Sequence, residues 1–388
     1  MQDWLLLLIF FAAIAAGWSL GRWQPFSRSS TAVKRLPDAY FRGLNHLFNE
    51  QPERAMELFM QALDDDSEAI ETHLALGKLF RARGDLHKAT QTHQNLLARS
   101  DLESPQRLLI QFELASDYMA AGLLDRAEGL LKELLNSRCE IRGKSLFLLL
   151  DVYQREKDWQ QAIRVAEALL AVKEGDIPFV IAHYYCELAQ GHFDSDEETD
   201  ARKALMRALD YDGGCVRAYL LLAEIEMVGS HYKSAVKSLK QVKKKNPDYL
   251  AEALPMLRNC YGQLGEEKKF HAYLLECLRD GSLIASGFNG SQMMRKLSSN
   301  SQQLNQAIHE EVRQTPSLQG LRYLLDLQMY EAEGDDITYL QELREFVAQL
   351  IAKTPAYCCE HCGYKAKKLT WCCPSCQRWA AIKPSQVT

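Results

Sequence analysis

Residues 216–247 read VRAYLLLAEIEMVGSHYKSAVKSLKQVKKKNP. Two apolar-periodic segments flank the turn signal Gly229-Ser230, and Pro247 closes the second of them. Ala223 lies in the first segment and Ala235 twelve positions later in the second. Small side chains at that spacing suit a helical hairpin. A larger group where the two helices touch would push their axes apart and lose packing. The cations Lys243, Lys244 and Lys245 end the second helix, where they suit its negative pole. They read as a solvated end and not as a binding site.

The same unit recurs on both sides, from about Asp38 to Leu278. Gly43 precedes Ala55, Phe59 and Ala62; Gly77 precedes Ala89; Ala115 and Tyr118 precede Ala127. Tyr153 precedes Ala162, and Ala189 precedes Ala201, Leu205 and Ala208. A weaker last unit has Tyr261 and then Phe270 in place of the alanine. The second-helix markers therefore fall at 55, 89, 127, 162, 201, 235 and 270, and two of these spacings equal 34 residues. Gly84-Asp85, Gly122 and Lys157-Asp158 supply further turns. The pattern resembles the tetratricopeptide family, whose period is 34 residues. That resemblance implies an all-α superhelix of about seven repeats over residues 38–278, with a groove suited to peptides or protein segments.

The stretch Trp4 to Gly21, WLLLLIFFAAIAAGWSLG, is apolar and uncharged. About 17 residues is the lower limit for a helix that crosses a bilayer. Trp4, Trp18 and Trp23 sit where interfacial aromatics belong, and Arg22, Arg28, Lys34 and Arg35 follow the run. The expectation is a transmembrane anchor over residues 1–23, a linker over 24–37, an outward N-terminus and a cytoplasmic body. A cleaved signal peptide fits less well, because no Lys or Arg precedes the apolar run. Downstream of the repeats, Gly281 to Ser301 is rich in Gly, Ser and Asn. Helices are expected at about 302–314, 318–333 and 337–352, so that residues 279–355 form a helical continuation or cap.

The chain has 388 residues and a formal net charge of −5, which argues against broad binding to a nucleic-acid backbone. Its 11 cysteines are an odd number, unevenly placed. Five are scattered, and six crowd near the end as Cys358-Cys359-x-x-Cys362 and Cys372-Cys373-x-x-Cys376. Scattered thiols with one cluster suit a reducing compartment and a metal site better than a disulfide framework. Two C-x-x-C knuckles can aim four thiolates at one point. Cys359, Cys362, Cys373 and Cys376 are the expected ligands. Gly363 then follows the first knuckle and Pro374 lies within the second, whereas Cys358 and Cys372 would misplace both. His361 lies inside the first knuckle and is a poor fourth donor.

Tetrahedral sulfur suits zinc and iron alike. The knuckles resemble rubredoxin, which implies a small metal-binding module over residues 356–388 and favours iron, with zinc the alternative. The spacer is shorter than in rubredoxin, and Gln377 stands where a second glycine is expected. Tyr357, Tyr364, Trp371 and Trp379 give so short a segment more apolar surface than it can bury alone, so it is expected to dock on the array or on a partner. The histidines, His87, His93 and His183 among them, share no metal-ligand spacing and read as core or solvated residues. Nothing in the array reads as catalytic.

Anchor, repeats and module together resemble the lipopolysaccharide assembly protein B family of Gram-negative bacteria. Tyr184-Tyr185-Cys186-Glu187-Leu188-Ala189-Gln190 and Cys373-Pro374-Ser375-Cys376 look like family segments. The resemblance implies a single-pass inner-membrane adaptor, not an enzyme. Such an adaptor limits lipopolysaccharide synthesis by promoting destruction of the deacetylase LpxC by the membrane protease FtsH. A homo-oligomer stays open. The competing reading is a redox protein that uses an iron–thiolate centre.

Overall fold

The computed structural model describes residues 70–136, 140–171, 177–280, 318–331, 336–353 and 355–384, together with Ser282 and short helical pieces within 42–46 and 54–58. The expected anchor and linker lie outside the described residues. So do Phe59, Ala62, most of the 281–301 break and the helix expected at 302–314. Among the described residues, no helix is long and apolar enough to cross a membrane.

The chain forms two compact units, Met1–Leu134 and Leu135–Thr388. Among its described residues the first has two complete hairpins: α1 (Ile70–Arg83) with α2 (Leu86–Leu97), and α3 (Ser104–Ala120) with α4 (Leu124–Leu134). The second continues with α5 (Ile141–Glu156) and α6 (Trp159–Leu170), α7 (Ile177–Asp194) and α8 (Glu198–Tyr211), and α9 (Val216–Val228) and α10 (Tyr232–Lys245). A 3-10 turn, Pro247–Tyr249, leads into α11 (Leu250–Gln263) and α12 (Glu267–Arg279). Two further helices follow, α13 (Leu318–Glu331) and α14 (Asp336–Lys353).

The small-residue ladder explains these pairings. Ala55, Ala89, Ala127, Ala162, Ala201 and Ala235 are all 0% exposed. Phe270, which takes the alanine's place in the last hairpin, is buried and lies against Tyr261, the rings tilted by 41° with centroids 6.0 Å apart. The turns behave as their residues dictate. Gly84, Gly122 and Gly265 take left-handed φ values of 89°, 73° and 65°. Lys157 and Ser230 adopt the same region without being glycine. Asp158 caps α6, its carboxylate accepting from the Gln161 N–H at 3.1 Å.

Lys243 departs from the sequence reading. It is not a solvated helix end: its ammonium reaches Glu276 at 2.9 Å and Asp280 at 2.6 Å, tying α10 to α12 and the residue after it.

Among the described residues, the β structure lies in the C-terminal module. Strands β1 (Tyr357–Cys359), β2 (Lys365–Ala366) and β3 (Ile382–Pro384) form an antiparallel sheet ordered β2-β1-β3. Tyr357 faces Ala366 on one side and Pro384 on the other, and Cys359 pairs with Ile382.

Candidate metal centre

Successive side chains in a strand point to opposite faces. Within β1, Cys359 is buried with Cys373 and Ile382, while its neighbour Cys358 is only half-buried and lies outside that cluster. The chain then turns through Gly363, at φ 72°, and the Gly363 N–H donates to the Cys359 carbonyl at 2.9 Å. The Cys359 N–H donates to the Tyr364 carbonyl at 2.8 Å. Fourteen residues on, the pattern repeats. The Gln377 N–H donates to Cys373 O at 2.8 Å, and the Cys373 N–H to Arg378 O at 2.9 Å. Gln377 takes φ 55°. The residue that departs from the rubredoxin pattern thus adopts the left-handed conformation a glycine would have taken.

The two knuckles bring together Cys359, Cys362, Cys373 and Cys376, whose sulfurs all lie within 4.8 Å of one another. The Cys359–Cys376 and Cys362–Cys373 separations are 3.7 and 3.6 Å. Metal–sulfur bonds of about 2.3 Å in a tetrahedron need sulfur–sulfur edges of about 3.8 Å. The donor set and its spacing therefore fit one thiolate-bound metal ion. Cys358 and Cys372 stand outside the quartet. The Cys372 thiol instead donates to the Gln377 carbonyl at 3.4 Å, and burial pushes it up to about 11.

Crowded thiols ionise unequally. Cys362 is pulled down to about 6, first by the Tyr364 backbone N–H that bonds its sulfur and then by the neighbouring thiols. Cys376 moves the other way, to about 12: the Arg378 N–H favours its thiolate, but desolvation and the surrounding sulfurs outweigh it. A divalent cation favours deprotonated sulfur, so ion binding by this quartet releases protons.

The module does not stand free of the helices in its unit. Trp379 packs among Trp159, His183 and Tyr184, with ring centroids at 6.1, 5.2 and 5.8 Å. The Arg217 guanidinium lies 5.9 Å from its ring and is itself held by Glu187 at 2.8 Å. Trp371 leans on Tyr249 at 5.2 Å. At the sheet, the Tyr249 hydroxyl donates to the Ile382 carbonyl at 3.2 Å, Tyr357 bonds Glu252, and Lys383 pairs with Asp248 at 3.6 Å. Residues of α6, α7, α9 and α11, and of the 3-10 turn before α11, thus contribute to one docking face. His183 sits within it, 2% exposed, with neither ring nitrogen hydrogen-bonded. Burial, and then the nearby Arg217 charge, pull it down to about 3, so it is a neutral aromatic wall.

Comparison with known proteins bears on the whole chain. A scan against protein-family models finds no match. The chain is 34% identical over 384 residues to lipopolysaccharide assembly protein B of Escherichia coli K12, covering 98% of this chain and 97% of that one. It is 33% identical over 391 residues to the protein of the same name from Haemophilus influenzae, covering 98% of each. The chain belongs to the lipopolysaccharide assembly protein B family. Among solved structures it is similar to Pseudomonas aeruginosa pilF, at 19% identity and a TM-score of 0.33 over 54% of this chain and 90% of the other. It is also similar to the TPR-like repeats of a Podosopora anserina kinesin light chain, at 22% identity and a TM-score of 0.35 over 46% and 94%.

In this member of the lipopolysaccharide assembly protein B family, the sequence marks the quartet and the module's aromatics. It does not mark His183, Tyr249 or Glu252 as their receivers. Of the array side, Tyr184 and Glu187 fall in a segment that looks like the family, and Arg217 at the start of the hairpin that shows the repeat.

Proposed function

We propose that this chain is a membrane-tethered adaptor in lipopolysaccharide assembly, not a catalyst, and that it promotes FtsH-dependent proteolysis of the deacetylase LpxC. The observation that carries the reading is end-to-end similarity to relatives named for lipopolysaccharide assembly, with repeats and module both inside the matched span. Helical hairpins of this type present surfaces for protein segments. The apolar run at residues 4–21 would hold that surface at the inner membrane, N-terminus out and body in the cytoplasm, and raise its effective concentration near a membrane protease.

Within this reading, Cys359, Cys362, Cys373 and Cys376 hold one metal ion, iron by the likeness of the knuckles to rubredoxin, with zinc the alternative. The ion supplies a structural tie. A segment of this size has little core of its own, and four thiolates on one centre fix both knuckles. The protein's part is to present the four sulfurs and to bury Trp371 and Trp379 against the helices.

The test is the half-life of the deacetylase in cells that carry, at matched expression, a chain lacking residues 1–23 or one lacking residues 356–388. Both truncations should lengthen the half-life and raise lipopolysaccharide. An unchanged half-life with both would refute the tethered adaptor.

A further inference from the structure

Chemically alike knuckles are held in different ways. The first turns through Gly363, and the Tyr364 that follows it is exposed. The second turns through Gln377 at φ 55°, a region that L residues other than glycine occupy at a cost. Such a conformation persists where its surroundings over-determine it. The surroundings here come from the array. Gln154, near the end of α5, donates through Nε2 to the Gln377 carbonyl at 3.4 Å, with Cys372 Sγ 4.0 Å away. Its Oε1 accepts from the Trp379 indole at 3.1 Å and from the Tyr184 hydroxyl at 2.9 Å. An indole N–H only donates and a backbone carbonyl only accepts, so one orientation of the amide satisfies both sides. One side chain thus grips the residue directly after Cys376 and the tryptophan three positions after it.

We propose that the helical array completes the metal site, with Gln154 as the positioning residue of the second knuckle, so that metal retention and docking of the module are one linked equilibrium. The proposal rests on the metal reading above. Linkage is reciprocal: whatever the docked geometry adds to metal affinity, the metal adds to docking. Groups that orient a ligand from behind typically change metal affinity 10–100-fold when removed.

The experiment uses the full chain in detergent, loaded with zinc(II) or iron(II), and follows transfer of the metal to a chromogenic chelator. Gln154→Met keeps the volume of the side chain and removes its hydrogen bonds. Gln154→Glu keeps the acceptor for Trp379 and turns an acceptor towards the Gln377 carbonyl. Both should release metal about tenfold faster or more, with unchanged helical circular dichroism and a red-shifted tryptophan emission. Stripping metal from the unsubstituted chain should give the same red shift. Adding Gln377→Gly to Gln154→Met should restore slow release, because glycine holds the turn unaided. Arg155→Ala, one residue away and exposed, should change nothing. An unsubstituted chain that takes up neither metal would overturn the metal reading and this proposal with it. A chain that holds metal, with both Gln154 variants releasing it at the unsubstituted rate, would overturn this proposal alone.

Discussion

His93 on α2 and Asp117 on α3 hold each other at 2.5 Å, and neither side chain reaches solvent. Asp117 also accepts from Arg81 at 2.7 Å, so one buried carboxylate joins three helices of the first unit. Gly77 makes the arrangement possible. A Cβ there would lie 2.4 Å from His93 Nε2, and the imidazole cannot retreat without leaving Asp117. Gly77→Ala should therefore destabilise the first unit by about 1–3 kcal/mol, although alanine is the better helix former. The check is a lowered urea midpoint; an unchanged or raised one would show that the ring has room to move.

A second expectation concerns the ladder of alanines. Ala235 is 0% exposed where α10 meets α9, while Met206 on α8 is 56% exposed. Ala235→Leu forces extra methylenes into a closed contact and should cost about 1–3 kcal/mol. Met206→Ala changes the same number of heavy atoms yet should stay within about 0.5 kcal/mol of neutral. Thermal unfolding of the two variants side by side decides it. Equal effects would mean that the small residues do not set the helix–helix distance.

That ladder was legible in the sequence because it is local: a small residue recurs at a nearly fixed period, and each copy has the same packing task. The knuckles were legible for the same reason, as two C-x-x-C pairs with Gly363 directly after the first and Pro374 inside the second. Gln154 was not, since its partner Trp379 is 225 residues away and no pattern distinguishes a helical glutamine that meets one from a solvated one. Asp117 reads as an ordinary acid on an amphipathic helix until Arg81 and His93 arrive from two other helices. Lys243 looked like a dipole-complementing helix end. Glu276 and Asp280 lie on or just after a helix whose register against α10 only the packing reveals.

The quartet makes a discriminating substitution series possible. Cys359→Ser, Cys362→Ser, Cys373→Ser and Cys376→Ser should each lower metal content, since a hydroxyl stays protonated where a thiolate would bind. Cys358→Ser should retain the metal, its sulfur being outside the cluster. Cys372→Ser should retain it as well, because serine still offers the Gln377 carbonyl a donor. Metal per chain by elemental analysis is the measurement, and equal losses at all six positions would mean that the register or the number of ions is wrong.

His183 sets the last expectation, a dependence on pH. Its folded-state value is pulled from an ordinary 6.5 to about 3, first by burial and then by the Arg217 charge. A group whose folded value is depressed adds stability above its unfolded value and loses it as pH falls towards the folded one. The window therefore opens near pH 6.5 and extends down towards 3, with the unfolded chain taking up the proton that the folded chain refuses. Between pH 7.5 and 5.5 this one residue should cost about 1.4 kcal/mol of stability. Thiolate protonation weakens the metal module over the same range, so the contrast must come from a variant. His183→Phe keeps an aromatic wall against Trp379 and Phe179, whose centroids lie 5.2 and 4.8 Å from the imidazole, and removes the titration. The drop in stability between the two pH values, read from urea unfolding followed by tryptophan emission, should be smaller in His183→Phe by that amount. Equal drops in the two chains would mean that His183 takes up its proton without leaving the docking face.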